Sequence, residues 1–297
     1  MTEDLPTIMI SPSEIATMRQ CPLKHQLAYD ERWTKERSDL SHPLAFGTLW
    51  HLVIQTHREV IRSGDTLYQA KIEVGNILLG IDDPEVVDLL SWMYMGYVEK
   101  WGADLDWEIL AIEFAAEVEL PPPPGVFPQF LFRLKLKLDL LVRWQGRIWV
   151  VDEKSCKTLP KRFELDLDDQ FGLYYWAVNQ LGYDVFGAIY SASRKERLKR
   201  PMTLDERFDR ILLSRGRKEL DTIALEAWQT AHSTYSNLTQ VKELRRTGLR
   251  IDAPRHPDPR QCGWKCDWTE ACIAGRKGVD LRDYLHRKHF FQDFSRH

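Results

Sequence analysis

The sequence contains few cysteines, no long apolar run and no excess of charge of one sign. No apolar stretch approaches the ~20 residues that a membrane-spanning helix needs, and no signal-peptide pattern opens the chain, so we expect a soluble cytoplasmic protein that does not act in a membrane. The 41 basic and 44 acidic residues leave a net charge of −3, which argues against a broad basic surface for nucleic acid. A phosphate-binding, glycine-rich loop with its lysine is also absent, so the sequence shows no ATP-driven motor.

What the sequence does contain is a charged hairpin in the middle of the chain. Over Leu134–Leu140, leucine alternates with charged residues, and this period of two predicts a half-buried strand. Gln145-Gly146 predicts a tight turn. The segment Arg147–Lys154 is rich in Val, Ile and Trp and predicts the returning strand.

Three charged side chains share one face of this hairpin. With a two-residue loop, Asp139 lies directly opposite Asp152 and on the same face as Lys154, while Glu153 turns to the leucine face. Facing carboxylates repel each other, and a divalent cation between them would relieve the repulsion. The pattern therefore predicts a metal site at which Lys154 holds or deprotonates a water. The alternative is a solvated face of paired charges, and a bulge at Gly146 would shift the register by one.

Helices and further strands are predicted on both sides of the hairpin. In chain order they are a helix from Ser11, a loop over 31–43, a helix from Phe46, helices over 66–103, a strand over Trp107–Leu120, a helix over Asp166–Leu181, a strand over Tyr183–Ala192, a long helical region to about Arg246 and a terminal helix from Arg282. His51 lies on the polar side of its helix, where a structural role is the alternative to a ligand role. Gln170 and Tyr174 are four residues apart and share a helical face.

The cysteines are distributed unevenly. Cys262, Cys266 and Cys272 lie together in a turn-rich segment, Cys21 stands near the N-terminus, and Cys156 directly follows the second strand of the hairpin. In a cytoplasmic chain, this usage indicates metal or redox chemistry rather than disulfides.

The order of these motifs resembles a known family of enzymes. His51, Asp139, Asp152-x-Lys154 and Gln170-x-x-x-Tyr174, with one early and three late cysteines, resemble the RecB-like branch of the PD-(D/E)XK nucleases, and more narrowly its iron–sulfur exonucleases. That group includes the exonucleases of CRISPR adaptation, the AddB nuclease domain and related phage exonucleases.

The resemblance implies an α/β fold with a restriction-endonuclease-like core. A central mixed β-sheet would be flanked by helices, with a helical cap insertion and a cysteine-cluster clasp joining the N- and C-terminal segments. Four parts are expected: an N-terminal helix with the first cluster cysteine (1–46), a helical region with the motif histidine (47–106), the nuclease core (107–215) and a C-terminal helical region with the three-cysteine segment (216–297).

The resemblance also implies roles for individual residues. The implied ligands of a catalytic Mg²⁺ or Mn²⁺ are His51, Asp139, Asp152 and the backbone carbonyl of Glu153. Lys154 would act with the two aspartates in catalysis by orienting and activating the attacking water. Gln170 and Tyr174 would position the DNA backbone.

A second cofactor is implied for the cysteines. Cys21, Cys262, Cys266 and Cys272 would hold a [4Fe-4S] cluster, which takes four thiolates. Three residues separate Cys262 from Cys266 where two are commoner in the family, so a Cys₄ zinc site remains the alternative. Cys156 is predicted to be a buried structural thiol.

The implied function is that of a divalent-metal-dependent DNA exonuclease acting on free ends of single strands, in DNA recombination, repair or processing. Between Arg194 and Lys218 there are ten basic and four acidic residues, which are either a solvated helical face or one wall of a narrow channel for the strand. One alternative function is a catalytically silent or endonucleolytic DNA-end-binding module of a recombination or CRISPR-adaptation complex. The other is a zinc-stapled DNA-binding protein without catalysis.

Overall fold

The computed structural model describes residues 5–35, 43–287 and 290–293, and it has the predicted α/β fold. Its strands are β1 Thr7–Ile10, β2 Trp33–Lys35, β3 Glu108–Leu120, β4 Leu131–Trp144, β5 Arg147–Cys156, β6 Val185–Arg194, β7 Phe208–Leu213 and β8 Phe290–Gln292. Its α-helices are α1 Pro12–Gln20, α2 Pro22–His25, α3 Pro43–Arg62, α4 Leu67–Leu79, α5 Pro84–Trp101, α6 Arg162–Asp166, α7 Asp169–Gln180, α8 Leu204–Arg207, α9 Arg217–Arg246, α10 Pro259–Lys265, α11 Thr269–Arg276 and α12 Leu281–Arg287. A π-helical turn, Gln26–Asp30, follows α2.

The chain forms two compact units, each assembled from separate stretches. The first unit comprises Met1–Ser38, Glu119–Leu134 and Ala224–His297. The second unit comprises Asp39–Val118 and Lys135–Ile223. The four-part division predicted from the sequence stays a prediction.

The second unit is built on a mixed β-sheet. Its strands β4, β5, β6 and β7 are neighbours in that order, and β3 also pairs with β4. The pairing of β5 with β6 is parallel, whereas β4–β5 and β6–β7 are antiparallel. Helix α3 packs on β5 and helix α7 on β6. The predicted central mixed sheet flanked by helices is therefore confirmed.

The β4–β5 hairpin has the predicted two-residue loop. Gln145 and Gly146 have φ angles of 52° and 73°, and positive values at both central positions are typical of a type I′ turn. Trp144 pairs with Arg147, and regular pairing continues to Leu140 and Val151. The alternative of a register shift at Gly146 is wrong, because the pairs on either side of the turn remain in step.

Helices α3, α4 and α5 share an apolar core in the second unit. Its buried members are Phe46, Trp50, Val53, Ile54, Val74, Val86, Leu90, Met93, Tyr94, Tyr97, Val98 and Phe208. The break between α4 and α5 lies at Gly80–Asp83, as predicted. Trp92 and Trp101 are partly buried against the same core, so most of the aromatic surface of α5 packs inside the protein rather than lining a channel.

The first unit joins the two ends of the chain by pairing and packing. Strand β1 runs parallel to the first residues of β4, and β2 pairs antiparallel with β8 through Trp33 and Gln292. The buried apolar residues that hold these segments together are Leu23, Leu27, Trp33, Trp268, Ala271, Leu281, Leu285 and Phe290. The tail is thus not one terminal helix, because β8 follows α12 and finds its partner in the N-terminal segment.

Four short strands were missed by the sequence reasoning. Strand β1 lies before the predicted first helix, in a segment for which no element was predicted. Strand β2 lies inside the predicted loop over 31–43, β8 lies in the predicted terminal helix, and β7 lies within the basic stretch after β6. The rest of that loop, residues 36–42, and residues 288–289 and 294–297 of the tail lie outside the described residues. In the parts of the chain that the structure describes, no helix is long and apolar enough to cross a membrane.

Candidate metal and nucleic-acid site

Helix α3 and strand β4 bring two predicted site residues together in the second unit. Nδ1 of His51 lies 3.1 Å from Oδ1 of Asp139, although 88 residues separate them in the sequence. Burial opposes the charge of the imidazole, but the hydrogen bond and the charge of Asp139 outweigh it and raise the pKa of His51. Burial likewise opposes ionisation of Asp139, and the contact with His51 outweighs it and lowers the pKa of this carboxyl.

The second oxygen of Asp139 contacts the neighbouring strand. The backbone N–H of Glu153 donates to Oδ2 of Asp139 at 2.6 Å. The regular β4–β5 ladder ends at the pair of Leu140 and Val151. Beyond that pair, the side chain of Asp139 accepts the N–H that a backbone carbonyl would accept in a continued ladder. The carboxylate is therefore held from two sides, by an imidazole and by a peptide group.

Asp152 and Lys154 form the second pair of the site. Nζ of Lys154 lies 2.8 Å and 2.7 Å from the two carboxylate oxygens of Asp152. Burial raises the pKa of Asp152 to about 6, because a desolvated carboxylate is costly to ionise. Burial opposes the ammonium charge of Lys154, but Asp152 and Asp139 outweigh it and raise the pKa of this lysine. Lys154 is thus held as an ammonium beside Asp152, and its role in orienting and activating the attacking water stays a prediction.

Gln170 and Tyr174 lie on one face of α7, as their spacing predicts. Asp168 caps this helix by accepting the N–H of Gln170 at 2.8 Å. Nε2 of Gln170 donates to the hydroxyl of Tyr174 at 2.7 Å. Burial raises the pKa of Tyr174 to about 12, and the charge of Asp152 adds to this shift. The phenol is therefore neutral at physiological pH and can donate a hydrogen bond.

The donor set of this site suits a hard divalent cation. It offers two carboxylates and one imidazole, and such oxygen-rich sets are typical of Mg²⁺ and Mn²⁺. Burial raises the pKa of Asp152 because its negative charge is costly away from water, and a bound cation would offset that cost. Within the described ranges, no three His, Cys, Asp or Glu side chains are grouped closely enough to hold an ion as they stand. The ligand roles of His51, Asp139, Asp152 and Glu153 thus remain predictions.

Behind the site lies a buried ionic network that the sequence reasoning missed. Arg58 is fully buried, with Nη1 at 2.5 Å from Oδ2 of Asp104 and Nη2 at 3.8 Å from Oε1 of Glu153. Arg210 of β7 binds the same aspartate with both terminal nitrogens, at 2.6 and 2.7 Å. Glu153 is therefore not idle on the leucine face, because its carboxylate balances arginine charge inside the protein.

The position of Arg58 couples this network to the site. Arg58 lies seven residues after His51, two helical turns along the same face of α3. Glu153 lies between Asp152 and Lys154 on β5. One ion pair thus joins the helix of the motif histidine to the strand of the motif carboxylate. The sequence feature that could have indicated this network is Arg58, which lies two turns after His51 on an amphipathic helix.

Most arginines of the basic stretch after β6 contact other side chains of the protein. Arg197 pairs with Asp88 at 2.5 Å, and Arg207 stacks on Trp92 with its guanidinium carbon 3.9 Å from the ring centre. The other arginines of the stretch with carboxylate partners in the described residues are Arg194, Arg200, Arg210 and Arg215. Most arginines of the stretch thus have partners within the protein, and the predicted channel wall stays a prediction.

The four predicted cluster cysteines meet in the first unit. Cys21, Cys262, Cys266 and Cys272 all line one cavity of about 760 Å³. Burial raises the pKa of the Cys272 thiol, and the other three thiols add to the shift. All five cysteines are free thiols. Four thiols around one cavity suit a four-thiolate metal centre, although the structure does not group them tightly enough to hold an ion as they stand.

Cys156 has the environment of a structural thiol. Its Sγ donates to the carbonyl oxygen of Ser193 at 3.6 Å. Burial raises the pKa of this thiol to about 11. This thiol is half-buried rather than fully buried as predicted, and in its protonated form it is a poor metal ligand and a poor nucleophile.

Comparison with known proteins gives one family, and the solved structures that match include two distant neighbours described below. The family model of the PD-(D/E)XK nuclease superfamily matches residues 9–273. The crystal structure of SSO0001 aligns with a TM-score of 0.41 and 13% identity, over 90% of this chain and 86% of that one. An exonuclease candidate from Eubacterium rectale aligns with a TM-score of 0.42 and 13% identity, over 88% and 87%. None of the curated proteins matches the sequence.

Proposed function

The chain belongs to the PD-(D/E)XK nuclease superfamily, and on that premise we propose that it is a divalent-metal-dependent exonuclease acting on free ends of single-stranded DNA. The observation that carries the proposal is the double contact of Asp139, with His51 and with the N–H of Glu153, beside the Asp152–Lys154 pair. Membership of the superfamily indicates nuclease activity with Mg²⁺ or Mn²⁺. The single-strand preference and the exonuclease mode go beyond it.

The proposed metal ligands are His51, Asp139, Asp152 and the backbone carbonyl of Glu153. Nδ1 of His51 and Oδ1 of Asp139 lie 3.1 Å apart, and two neighbouring ligands of one ion have about this separation, so a cation in place of the proton between them would be bound by both side chains. A bound Mg²⁺ or Mn²⁺ would lower the pKa of a coordinated water and stabilise charge developing on the phosphate.

The remaining side chains handle water and phosphate. Lys154 is held as an ammonium by Asp152, so it orients the attacking water and offsets phosphate charge rather than taking up a proton. Gln170 and the neutral phenol of Tyr174 lie on one face of α7. In this proposal they donate hydrogen bonds to the phosphate backbone of the DNA. Asp139 keeps the imidazole of His51 in one orientation.

For the cysteines, we propose a [4Fe-4S] cluster held by Cys21, Cys262, Cys266 and Cys272, with Cys₄ zinc as the alternative. Their convergence on one cavity supports a four-thiolate site of either kind. The cluster would clasp the N-terminal helix to the C-terminal segment. The proposed setting is DNA recombination, repair or CRISPR adaptation, with protein partners from those processes.

The test is cleavage of linear and covalently closed circular single-stranded DNA of equal nucleotide content with Mn²⁺, and with EDTA as the control. Linear strands should shorten progressively while circles are largely spared. Equally rapid cutting of circles would mean an endonuclease. No metal-dependent cleavage of either substrate would overturn the proposal, and binding of DNA ends by such an inactive protein would identify it as the silent DNA-end-binding module.

A further inference from the structure

Helix α6 carries an exposed apolar pair between two elements of the site. The side chains of Phe163 and Leu167 are 58% and 80% exposed, whereas Leu165 between them is only 4% exposed. Phe163 and Leu167 are four residues apart and share one side of this turn. A single exposed apolar side chain needs no explanation, but two on one side of a turn that joins β5 to α7 form a small apolar surface.

This turn is firmly held, so the exposure of Phe163 is not that of a frayed end. Nη2 of Arg215 donates to the carbonyl oxygens of Leu165, Asp166 and Asp168, at 3.2, 3.1 and 2.8 Å. At the other end of α6, the carboxylate of Glu164 accepts the backbone N–H of Lys161 at 3.0 Å. An aromatic ring on a fixed turn loses little conformational entropy when a ligand packs against it.

Arg215 also connects this turn to helix α7, which carries Gln170 and Tyr174. Asp168, whose carbonyl Arg215 binds, is the N-cap of α7 and accepts the N–H of Gln170. At its other end, the segment leaves β5 only two residues after Lys154. Phe163 therefore lies on a turn that Arg215 holds in place, and this turn joins the strand of Lys154 to the helix of Gln170.

Positive charge flanks this apolar surface. Lys161 and Arg162 directly precede Phe163, and both are exposed. Neither side chain forms an ion pair with any residue that the structure describes, in contrast to the arginines of the basic stretch after β6. Glu164 is turned back onto the backbone of Lys161, which leaves Asp166 as the other acidic group of the helix.

We propose that Phe163, supported by Leu167, is a stacking platform for an unpaired base of the substrate strand, and that Lys161 and Arg162 contact its phosphates. An aromatic face beside unpaired cations is the arrangement by which proteins bind single-stranded nucleic acid without reading its sequence. The inference rests on the nuclease function proposed above and makes an unpaired strand the ligand of this surface. Duplex DNA keeps its bases stacked inside, so it cannot use the platform.

The experiment measures binding separately from cleavage. The affinity of a short labelled single strand is measured by fluorescence anisotropy in EDTA for wild type, Phe163→Ala and Phe163→Trp. Loss of one stacked base should weaken binding of Phe163→Ala about 5- to 150-fold, and Phe163→Trp should restore it. Blunt duplex should bind all three proteins equally.

Two controls sharpen this test. Phe127, 96% exposed in the segment between β3 and β4, should tolerate replacement by Ala without any effect on binding. Changing both Lys161 and Arg162 to Gln should reduce the slope of log affinity against log salt by about 0.7 for each phosphate contact that is lost. All variants should keep the wild-type Tm, because these side chains are exposed.

The outcomes separate this inference from the proposed function. Wild-type single-strand affinity in Phe163→Ala, an equal loss for duplex, or failure of Phe163→Trp to restore binding would each overturn the platform, even if cleavage is normal. Conversely, a wild-type protein that binds single strands through Phe163 but cleaves nothing would uphold the platform and overturn the nuclease proposal.

Discussion

Asp139 accepts the backbone N–H of Glu153 at 2.6 Å, which joins a motif carboxylate to the peptide chain of the opposite strand. The N–H and C=O of one strand residue point to the same side of the strand. The carbonyl of Glu153 is thus expected to face Asp139 as well, which is the direction that a shared metal would require. The contact also fixes the backbone between Asp152 and Lys154.

Removing Asp152 should abolish cleavage while the protein stays folded. The buried carboxylate of Asp152 costs free energy at neutral pH, as its raised pKa shows, so Asp152→Asn should have an unchanged or higher Tm in EDTA. Its rate of DNA cleavage should fall more than about 100-fold, because several kcal/mol of metal-dependent stabilisation are lost. We expect Asp139→Ala and Lys154→Ala also to be inactive and folded. Wild-type cleavage by Asp152→Asn would place the metal site elsewhere.

Loss of Arg58 should destabilise the second unit. Replacing it with Met removes its ion pairs with Asp104 and with the fully buried Glu153, leaves both carboxylates short of positive charge, and should cost about 3–5 kcal/mol of unfolding free energy, measured by urea denaturation. Arg62→Met, one turn further along α3 and exposed, should change stability by less than about 1 kcal/mol.

A second substitution tests whether the cost comes from unpaired charge. Arg58→Met combined with Glu153→Leu removes both charges, so it should recover much of the lost stability. Equal stability of the single and double variants would show that the ion pair is not the cause.

The pH dependence of stability should carry a contribution from His57. Burial, reinforced by the charge of Arg58, lowers the pKa of His57 to about 4, and its Nδ1 lies 3.0 Å from the hydroxyl of Tyr94. An unfolded histidine titrates near ~6.5. Between these values the unfolded chain binds more protons, so the unfolding free energy falls as the pH falls, by about 1.4 kcal/mol per pH unit.

His57→Gln should remove this contribution because glutamine does not titrate. Its loss of stability between pH 7 and pH 5 should be smaller than that of wild type by about 2 kcal/mol, as measured from urea midpoints at the two pH values. Parallel pH profiles of the two proteins would show that His57 is solvated or already charged in the folded state.

The four cysteines of the first unit should act as one site. Protein produced with adequate iron under anaerobic conditions should be brown, with acid-labile sulfide near the stoichiometry of one cluster. Cys21→Ser should lose the colour as completely as Cys266→Ser, because both thiols line the same cavity despite their distance in sequence. Cys156→Ser is the matched control and should keep the colour. One zinc and no iron by elemental analysis would establish the zinc alternative.

Local patterns predicted the hairpin well because they depend on neighbouring residues alone. Alternating leucine and charge in β4 sets which side chains face the core, and Gln145-Gly146 selects a turn whose geometry sets the register. The spacing of Gln170 and Tyr174 likewise determines that they share a helical face. These features need no knowledge of the rest of the chain.

Long-range contacts were harder to predict from single stretches. The short strands β1, β2, β7 and β8 have too few residues for a clear period of two, and each is stabilised by a partner elsewhere in the chain. The arginines after β6 had the composition of a nucleic-acid surface, yet most of them bind carboxylates or aromatic rings, some within the stretch itself and some elsewhere in the fold. The composition of a segment shows how many charges it carries, but not which groups those charges contact in the folded protein.

By itself, the sequence determined the hairpin, its register and the faces of its side chains, because these follow from periodicity and turn chemistry. Only the tertiary structure decided that Asp139 contacts His51 and the N–H of Glu153, and that Glu153 balances the buried charge of Arg58. Such pairs join elements far apart in sequence. Which charge lies beside which is set by the packing of whole helices on the sheet, and no local pattern carries that information.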